Sequence, residues 1–402
     1  MRDADLQPAG AERPEDPPAT GSHTSDDADR LRPAVSRNGR RAVWPKLARV
    51  DSVIPASGSP NEDSGPVSGG WQHASRAGSP DGSAIRTFGR GLPACRLDFA
   101  QNLPPNGYVW WYVDALSDDG THGITVIAFL GSVFSPYYAF ARRKGPADPL
   151  DHCSINVSIY RKGGNRWAMT ERPHGAVERR TNSLSIGPSH LHWDGDCLTI
   201  TIDEITVPIP RRIRGTVRVR PDAITQQGFV LNSQGDHNWW PIAPSSHVEV
   251  ALQRPDLQWQ GRGYFDTNQG SAPVEAGFSD WQWACGPTRN GAVILYEALR
   301  RDGGVTNLAL EIDQQGRVQS FDPPPVRKLK RTGWRVGRSI RSDRDASVVR
   351  TLQDSPFYAR SVVSASLRDE RLVMMHESLS LDRFKMPIVQ AMLPFRMPRA
   401  RR

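Results

Sequence analysis

The 402-residue sequence lacks paired cysteines and the short motifs that mark several enzyme classes. Its cysteines are Cys95, Cys153, Cys197 and Cys285. Because no CxxC pair occurs, a zinc ribbon and a redox dithiol are excluded, and a secreted disulfide framework is disfavoured. No GxSxG, HExxH or P-loop is present. GRGYFD begins at Gly261 like a dinucleotide fingerprint, but Asp266 stands where the third glycine belongs, which excludes nicotinamide binding.

The sequence also has little that would direct the chain across a membrane. The amino terminus, MRDADLQPAGAERPED, is acidic and proline-rich and has no apolar core, so it is not a signal peptide. One uncharged stretch, Gly123 to Ala141, approaches the length of a spanning helix. Its glycines, serines, proline and β-branched residues instead indicate a buried strand, a Gly-Ser turn and a second aromatic strand. We therefore expect a cytoplasmic protein with no membrane span.

What the sequence has in abundance is turn residues and tryptophan, with 35 glycines, 33 prolines and 12 tryptophans. From about Gly107 onward, short apolar strands alternate with turn signals such as Asp194-Gly195. Short strands separated by turns, with almost no helical period, predict an all-β fold of meanders or barrels. We predict a disordered extension over residues 1–85, barrel domains over 86–255 and 256–382, and a basic tail over 383–402.

The positive charge is concentrated in two places, and the formal net charge is +8. Eight Lys or Arg residues against one Asp lie between Arg327 and Arg344, and the tail RFKMPIVQAMLPFRMPRARR adds six more among apolar residues. Basic residues interleaved with apolar ones suit the surface of an anionic membrane. A solvated basic face is the alternative. No nucleic-acid-binding pattern is recognisable, so nucleic acid is not expected as a partner.

Two segments combine polar and aromatic residues in a way that suggests chemistry. GDHNWWP places His237 just before Trp239, and GRGYFD places Tyr264 and Asp266 two apart, on one face of a strand. An acid, an imidazole, a phenol and aromatic faces could protonate a nonpolar substrate and shelter a cation. The alternative is that the tryptophans are core residues and the polar groups are turn caps. The pair His190 and His192 has no third ligand at suitable spacing, so no metal site is predicted.

Three segments resemble one known family. WWYVDALSDDGTHGITVIAFLGSVFSPYYAFARRKGPADPLDHCSINVSIY, GDHNWWPIAP and GRGYFDTNQG are similar to the carotenoid 1,2-hydratases, or hydroxyneurosporene synthases, of purple photosynthetic bacteria. The resemblance covers about residues 90 to 385. It implies two lipocalin-like (AttH-like) antiparallel β-barrels. It also implies cofactor-independent addition of water to the terminal C1–C2 double bond of an acyclic carotenoid such as neurosporene or lycopene, on the way to spheroidene or spirilloxanthin.

The resemblance also implies the roles of individual residues. His237, Trp239, Tyr264 and Asp266 match the positions used for activity, with Asp266 as the acid. We expect Trp239 to shelter the cation, His237 to hold or deprotonate the attacking water, and Tyr264 to orient Asp266 or share the cation. A tunnel for the polyene is expected to include Trp110, Trp111, Tyr137 and Tyr138, together with Phe140.

Two other functions remain open from the sequence. A non-catalytic, lipocalin-like carrier of carotenoid or lipid would have the same fold and the same apolar lining. An AttH-like structural or secretion-related protein would have no reason to keep a carboxyl beside a tyrosine in an apolar setting. For the hydratase, we expect an acyclic carotenoid and water as partners, no cofactor, and a peripheral position on the inner membrane.

Overall fold

The computed structural model describes residues 97 to 400, and these form strands connected by turns and a few short helices. The all-β prediction is confirmed. The predicted hairpin of YVWWYVDAL with ITVIAFL is confirmed as well, and so is the turn at Asp194-Gly195. The predicted disordered extension over residues 1–85 lies outside the described residues, as does Cys95.

The larger sheet contains twelve strands, all antiparallel. They are β1 (Tyr108–Ser117), β2 (Gly123–Leu130), β3 (Cys153–Tyr160), β4 (Arg166–Arg172), β5 (Val177–Arg180), β6 (Ser183–Ile186), β7 (Ser189–Trp193), β8 (Leu198–Ile205), β9 (Arg212–Pro221), β10 (Phe229–Val230), β11 (His237–Arg254) and β12 (Asp256–Gly270). Their order is β4-β3-β2-β1-β12-β11-β9-β8-β7-β6-β5, and β10 pairs with β11. The sheet curls until β4 contacts β8 and β3 contacts β6, so it forms a nearly closed barrel around an aliphatic core.

The second half of the chain contains nine further strands within the described residues. They are β13 (Phe278–Thr288), β14 (Gly291–Arg300), β15 (Val305–Asp313), β16 (Val318–Ser320), β17 (Val326–Leu329), β18 (Arg338–Arg341), β19 (Ser347–Asp354), β20 (Tyr358–Leu367) and β21 (Glu370–Ser380). Seven of them form a sheet in the order β16-β15-β14-β13-β21-β20-β19, and β17 pairs with β18. The β17–β18 hairpin packs over one face of this sheet through Leu329 and Ile340.

The predicted domain boundary at residues 255/256 falls inside the β11–β12 hairpin. Both strands of that hairpin belong to the twelve-stranded sheet. The chain passes from one sheet to the other between Gly270 and Phe278. The division into domains at 255 stays a prediction, and the sheets themselves change about 20 residues later.

Within residues 97–400, four short α-helices connect or follow the strands. They are α1 (Pro136–Lys144), α2 (Val274–Gly277), α3 (Leu381–Phe384) and α4 (Pro387–Met392). The prediction of a second aromatic strand after the Gly-Ser turn is therefore wrong, because α1 lies there. Ser135 caps the helix by accepting from two backbone N–H groups, Pro136 suits its first turn, and three basic residues occupy its last turn. No helix of the described chain has the length and apolar character needed to cross a bilayer.

The predicted basic tail is folded against the sheets. Phe384, Val389, Leu393 and Met397 are buried in the largest apolar core. Beyond them, the chain pairs with the end of β4 through a bridge between Glu171 and Arg399, whose side chains also form an ion pair. Only part of the apolar content of the tail therefore remains exposed.

The two sheets face each other across a layer of aromatic side chains, which we call the aromatic seam. From the larger sheet it includes Tyr108, Trp110, Tyr112, Trp239 and Tyr264, and from the smaller sheet Phe278, Trp281, Trp283 and Tyr296. Because side chains alternate along a strand, the even-numbered residues of β1 face the seam and the odd-numbered residues face the barrel core. The seam thus joins residues far apart in sequence.

Candidate active site

Asp266 lies in the aromatic seam and is 5% exposed. Its Oδ2 accepts hydrogen bonds from Trp239 Nε1 at 2.8 Å and from the Tyr264 hydroxyl at 2.7 Å. Its Oδ1 is buried and has no hydrogen-bond partner. A buried carboxylate would need both oxygens satisfied, whereas a neutral carboxyl can carry its proton on the oxygen that lacks a donor. The arrangement therefore suits a protonated acid with its O–H free.

Burial raises the pKa of Asp266 from 3.8 to about 8, because removal from water penalises the charged form. The hydrogen bonds from Trp239 and Tyr264 act in the opposite direction, since they favour the carboxylate. Negative charge on the nearby acids Glu377 or Asp114 raises the pKa further. Asp266 is thus largely protonated at neutral pH, and two donors stand ready to stabilise the anion left after proton transfer.

An irregularity in the β11–β12 pairing accompanies the contact between Trp239 and Asp266. Trp239 pairs with Asn268, so its side chain reaches Asp266 diagonally. The register shifts on either side of Ala243, next to Pro241 and Pro244. Proline has no N–H for the ladder, and such positions are typical of bulges that re-aim side chains.

The surroundings of Asp266 are mostly aromatic. The Tyr264 ring lies 4.9 Å from the Trp283 ring, and the Trp239 ring lies 5.0 Å from the Tyr296 ring, both centroid to centroid. Trp283 and Tyr296 come from the smaller sheet, so both sheets build the site. Aromatic faces are the side-chain groups best suited to stabilise a cation without donating a nucleophile.

His237 lies in the seam but not beside Asp266. It pairs with Gly270, four residues along β12 from Asp266, which corresponds to about 13 Å of strand. Its Nδ1 is 2.9 Å from the Tyr108 hydroxyl, and its Nε2 is buried without a partner. Burial lowers its pKa to about 4, so the ring is neutral at pH 7. A Cβ at Gly277 would lie 2.5 Å from Nε2, so only glycine fits there.

Of the predicted tunnel residues, the structure brings one to the seam. Trp110 stacks between Tyr108 at 5.0 Å and Trp281 at 6.1 Å. Trp111 points the opposite way, into the barrel core, because adjacent residues of a strand face opposite sides. The remaining predicted tunnel residues, Tyr137, Tyr138 and Phe140, lie on α1.

The predicted tunnel residues on α1 either pack within the protein or are exposed to solvent. The Tyr138 hydroxyl donates to the Gly107 carbonyl at 2.7 Å, and its ring stacks on His152. Tyr137 is half-buried outside the seam, and Phe140 is 56% exposed. Their contact with substrate stays a prediction, for which this placement offers no support.

The sequence analysis missed the partners that the smaller sheet contributes, and also the polar group on β1. Trp281 and Trp283 carried a signal, because residues two apart share one face of a strand. Asp114 lies two residues beyond Tyr112 on the same face as Trp110, which alternation along β1 could have indicated. Its neighbours Glu377 and Arg360 come from β21 and β20 and gave no local signal.

The described residues offer no metal site but do form a cleft at the surface. No group of three His, Cys, Asp or Glu residues in residues 97–400 is placed to hold a metal ion. His190 and His192 stack on each other at 6.3 Å as neighbours on β7. A surface cleft of about 390 Å³ lies between the sheets at Tyr160, Trp167 and Leu352. The Tyr160 hydroxyl accepts from Arg360, which connects this cleft with the polar group near Asp266.

Comparison with known proteins gives consistent matches. The family model described as Carotenoid hydratase CrtC matches residues 126–402. The chain is 47% identical to the acyclic carotenoid 1,2-hydratase of Thiocapsa roseopersicina, over 99% of each chain. It is 42% identical to the enzyme of the same name from Rubrivivax gelatinosus, over 99% of this chain and 98% of the relative. A solved structure assigned to AttH from Nitrosomonas europaea aligns with a TM-score of 0.47 at 14% identity, over 72% of this chain and 98% of the other.

Proposed function

The chain belongs to the carotenoid hydratase family, and we propose that Asp266 is the acid with which it hydrates its substrate. Its relatives named acyclic carotenoid 1,2-hydratase confirm the predictions of an enzyme and of carotenoid hydration, and the carrier alternative is set aside. The substrates that we propose are neurosporene, lycopene and related acyclic carotenoids.

The observation that carries the mechanism is the unequal environment of the two Asp266 oxygens. Oδ2 accepts from Trp239 and Tyr264, while Oδ1 is buried without a partner. In the proposed step, the Oδ1 proton moves to C2 of the substrate, and the π electrons of the C1–C2 bond form the new C–H bond. The cation is left at C1, a tertiary centre. Water then forms the C1–O bond and loses a proton, which gives the 1-hydroxy product.

The aromatic surroundings support both steps. An isolated alkene is a weak base, so the acid must be neutral at working pH and must be held in place. Positioned proton transfer contributes on the order of 10²–10⁴ in rate. Each desolvated aromatic face, such as those of Trp239 and Trp283, stabilises a cation by roughly 0.5–2 kcal/mol. The expectation that His237 holds the water stays a prediction, and its distance from Asp266 weighs against direct contact with C1.

The direct test uses lycopene or neurosporene dispersed in lipid and incubated with the full-length protein in H₂¹⁸O. Chromatography and mass spectrometry should show a product heavier than the substrate by one labelled water. Recovery of unlabelled product, or of bound polyene without product, would contradict the assignment.

Removal of either donor to Asp266 should slow hydration. In Trp239→Phe or Tyr264→Phe, the carboxylate formed on proton transfer loses one hydrogen bond, each about 1.5–3 kcal/mol to a charged group. We expect kcat to fall about 10- to 100-fold, since each 1.36 kcal/mol is tenfold in rate. The alkaline limb of the pH profile should move upward, because these bonds hold the pKa of Asp266 down.

Trp240→Phe is the matched control for that experiment. Trp240 points to the opposite face of β11 from Trp239, away from Asp266. Its Nε1 donates to Thr225. Its kcat should stay within about threefold of wild type. Equal losses in Trp239→Phe and Trp240→Phe would indicate damage to the sheet rather than a lost donor.

We also propose peripheral contact with an anionic membrane, where the substrate resides. The supporting surface is the C-terminal apolar patch, which comprises Met386, Ile388, Met392 and Phe395. Ile388 and Met392 are spaced i, i+4 on α4, so they share one exposed face. Arg383 donates to the Trp334 carbonyl, which links the patch to the basic segment 327–344. Charge would attract the protein and the apolar side chains would insert shallowly.

Vesicle sedimentation tests this contact. The double variant Ile388→Ser, Phe395→Ser should bind vesicles containing phosphatidylglycerol at least about tenfold more weakly, since full burial of even one such side chain contributes roughly 1.5–3 kcal/mol and about 1.4 kcal/mol is tenfold in affinity. The control is Val349→Ser, which removes an exposed apolar residue on β19. Binding by the wild type should also weaken in 0.5 M salt. Unchanged binding of the double variant would rule this patch out as the contact.

A further inference from the structure

A buried polar group lies beside Asp266 and has no part in the mechanism above. The Tyr112 hydroxyl is 2.7 Å from Asp114 Oδ2 and 2.7 Å from Glu377 Oε1. Arg360 donates to the same Glu377 oxygen from Nε at 2.9 Å and from Nη2 at 2.5 Å. Asp114 is 5% exposed and Arg360 is 1% exposed. The Glu377 side chain is 14% exposed, so two acids and a phenol share a largely buried space that reaches solvent only at Glu377.

The number of protons in this group follows from its geometry. A phenol has one proton and can donate to only one of the two carboxyl oxygens. The other contact at 2.7 Å is favourable only if that carboxyl itself carries a proton. Glu377 is paired with Arg360 and is the ionised member. Asp114 has no cation in contact, and burial raises its pKa to about 7, so it holds the proton.

The group faces the same part of the seam as Asp266. On neighbouring strands Tyr112 pairs with Asp266 and Asp114 pairs with Tyr264. Asp114 and Asp266 are therefore diagonal neighbours on one face, about 7–8 Å apart between Cα atoms. Both carboxyl groups therefore lie on the seam side of β1 and β12, where one substrate end could contact both.

We propose that Asp114, Tyr112 and Glu377 form a proton relay that accepts the proton released by the attacking water. This inference rests on the proposed function of Asp266 as the acid. It assigns the water-side chemistry to Asp114, whereas the sequence predicted His237. The relay ends at Glu377, which is ion-paired with Arg360.

The relay balances the reaction in protons and charge. As the water oxygen bonds to C1, its proton moves to one Asp114 oxygen, and the proton on the other Asp114 oxygen moves to Tyr112. The Tyr112 proton moves in turn to Glu377. At rest, the charges are those of Glu377 and Arg360 alone. After turnover Asp266 is the anion in place of Glu377, and return of one proton from Glu377 to Asp266 resets the site.

The test separates alkene protonation from water capture. Full-length wild type, Asp114→Asn and Tyr112→Phe are incubated with lipid-dispersed lycopene in D₂O. Hydration is measured by chromatography, and deuterium in the recovered lycopene by mass spectrometry. Asp266→Asn marks the loss of protonation. Asp280→Asn, which alters a carboxyl on β13 bonded to Gln282, is the matched control. Glu377 is left unaltered, because its removal would leave the buried Arg360 charge without a partner.

We expect Asp114→Asn to hydrate about 100-fold more slowly, within the range for a positioned proton acceptor, and Tyr112→Phe at least about tenfold more slowly. Deuterium should still enter recovered lycopene in both, because slow water capture lets the C1 cation persist and lose a proton other than the deuteron that Asp266 delivered, from C2 after rotation about C1–C2 or from a methyl group on C1. Hydration within threefold of wild type in both variants would overturn the relay. So would loss of deuterium entry together with hydration, which signals general damage. Wild-type hydration by Asp266→Asn would instead overturn the proposed acid.

Discussion

Asp266→Asn should abolish hydration while the protein remains folded. Asparagine keeps the shape of the side chain, and its amide oxygen can still accept from Trp239 and Tyr264. It has no acidic proton, so the alkene cannot be protonated from this position. We expect kcat to fall at least about 10³-fold, within the range for positioned proton transfer. The measurement is formation of ¹⁸O-labelled product from lycopene in H₂¹⁸O.

The fold of the variant can be checked independently of activity. Replacement of a neutral buried carboxyl by a neutral amide leaves no buried charge, so the thermal midpoint at pH 7 should be preserved or raised. The matched control, Asp280→Asn, removes another carboxyl whose pKa is raised, here to about 6 by burial, and should hydrate normally. A folded Asp266→Asn protein with substantial activity would show that a different group supplies the proton.

Hydration should fall as pH rises through about 8. The active form requires protonated Asp266, whose pKa burial raises to about 8. Below pH 7 the acid is fully protonated and this dependence should be flat. Well above pH 8 the rate should fall about tenfold per pH unit, since each unit removes nine-tenths of the remaining protonated form. The measurement is kcat from pH 5 to pH 10, with unfolding monitored in parallel.

The raised pKa of Asp266 also predicts how the free energy of unfolding changes with pH. In the unfolded chain Asp266 loses its proton near 3.8, and in the folded chain near 8. Between these values the unfolded state binds fewer protons, so rising pH favours unfolding, and the loss is complete above the folded pKa. Asp114, whose pKa is about 7, acts in the same direction. Asp266→Asn should therefore lose less thermal stability than wild type between pH 4 and pH 9. A parallel decline in both proteins would contradict burial of an ionisable Asp266.

Local pattern was enough to predict part of the site. Alternation along a strand placed Tyr264 and Asp266 on one face, and their hydrogen bond confirms it. The same rule also implies that Trp110 and Trp111 cannot both face one tunnel, although both were predicted there. The run rich in aromatic residues at Tyr137 and Tyr138 predicts a strand, but the structure has α1 there. The N-cap at Ser135 and the proline after it favour a helix.

The rest of the site depends on contacts that local pattern does not contain. Trp239 reaches Asp266 because β11 pairs with β12 in a register that places Trp239 opposite Asn268, diagonal to Asp266. Trp283 and Tyr296 arrive from the second sheet. Glu377 meets Tyr112 across 265 positions of sequence. Such contacts follow from how whole strands pair and how sheets pack, which the spacing of residue types cannot specify.

The aromatic seam has a consequence for the newly made chain on the ribosome. The larger sheet is complete in sequence at Gly270, but the strands that cover its aromatic face continue to Ser380. At about 5–20 residues per second, the intervening 110 residues take roughly 5 to 20 s to synthesise. Until that sheet is complete, Trp110, Trp239 and Tyr264 are only partly covered. The nascent chain therefore exposes an apolar face that a chaperone or the membrane can bind before the second sheet has formed.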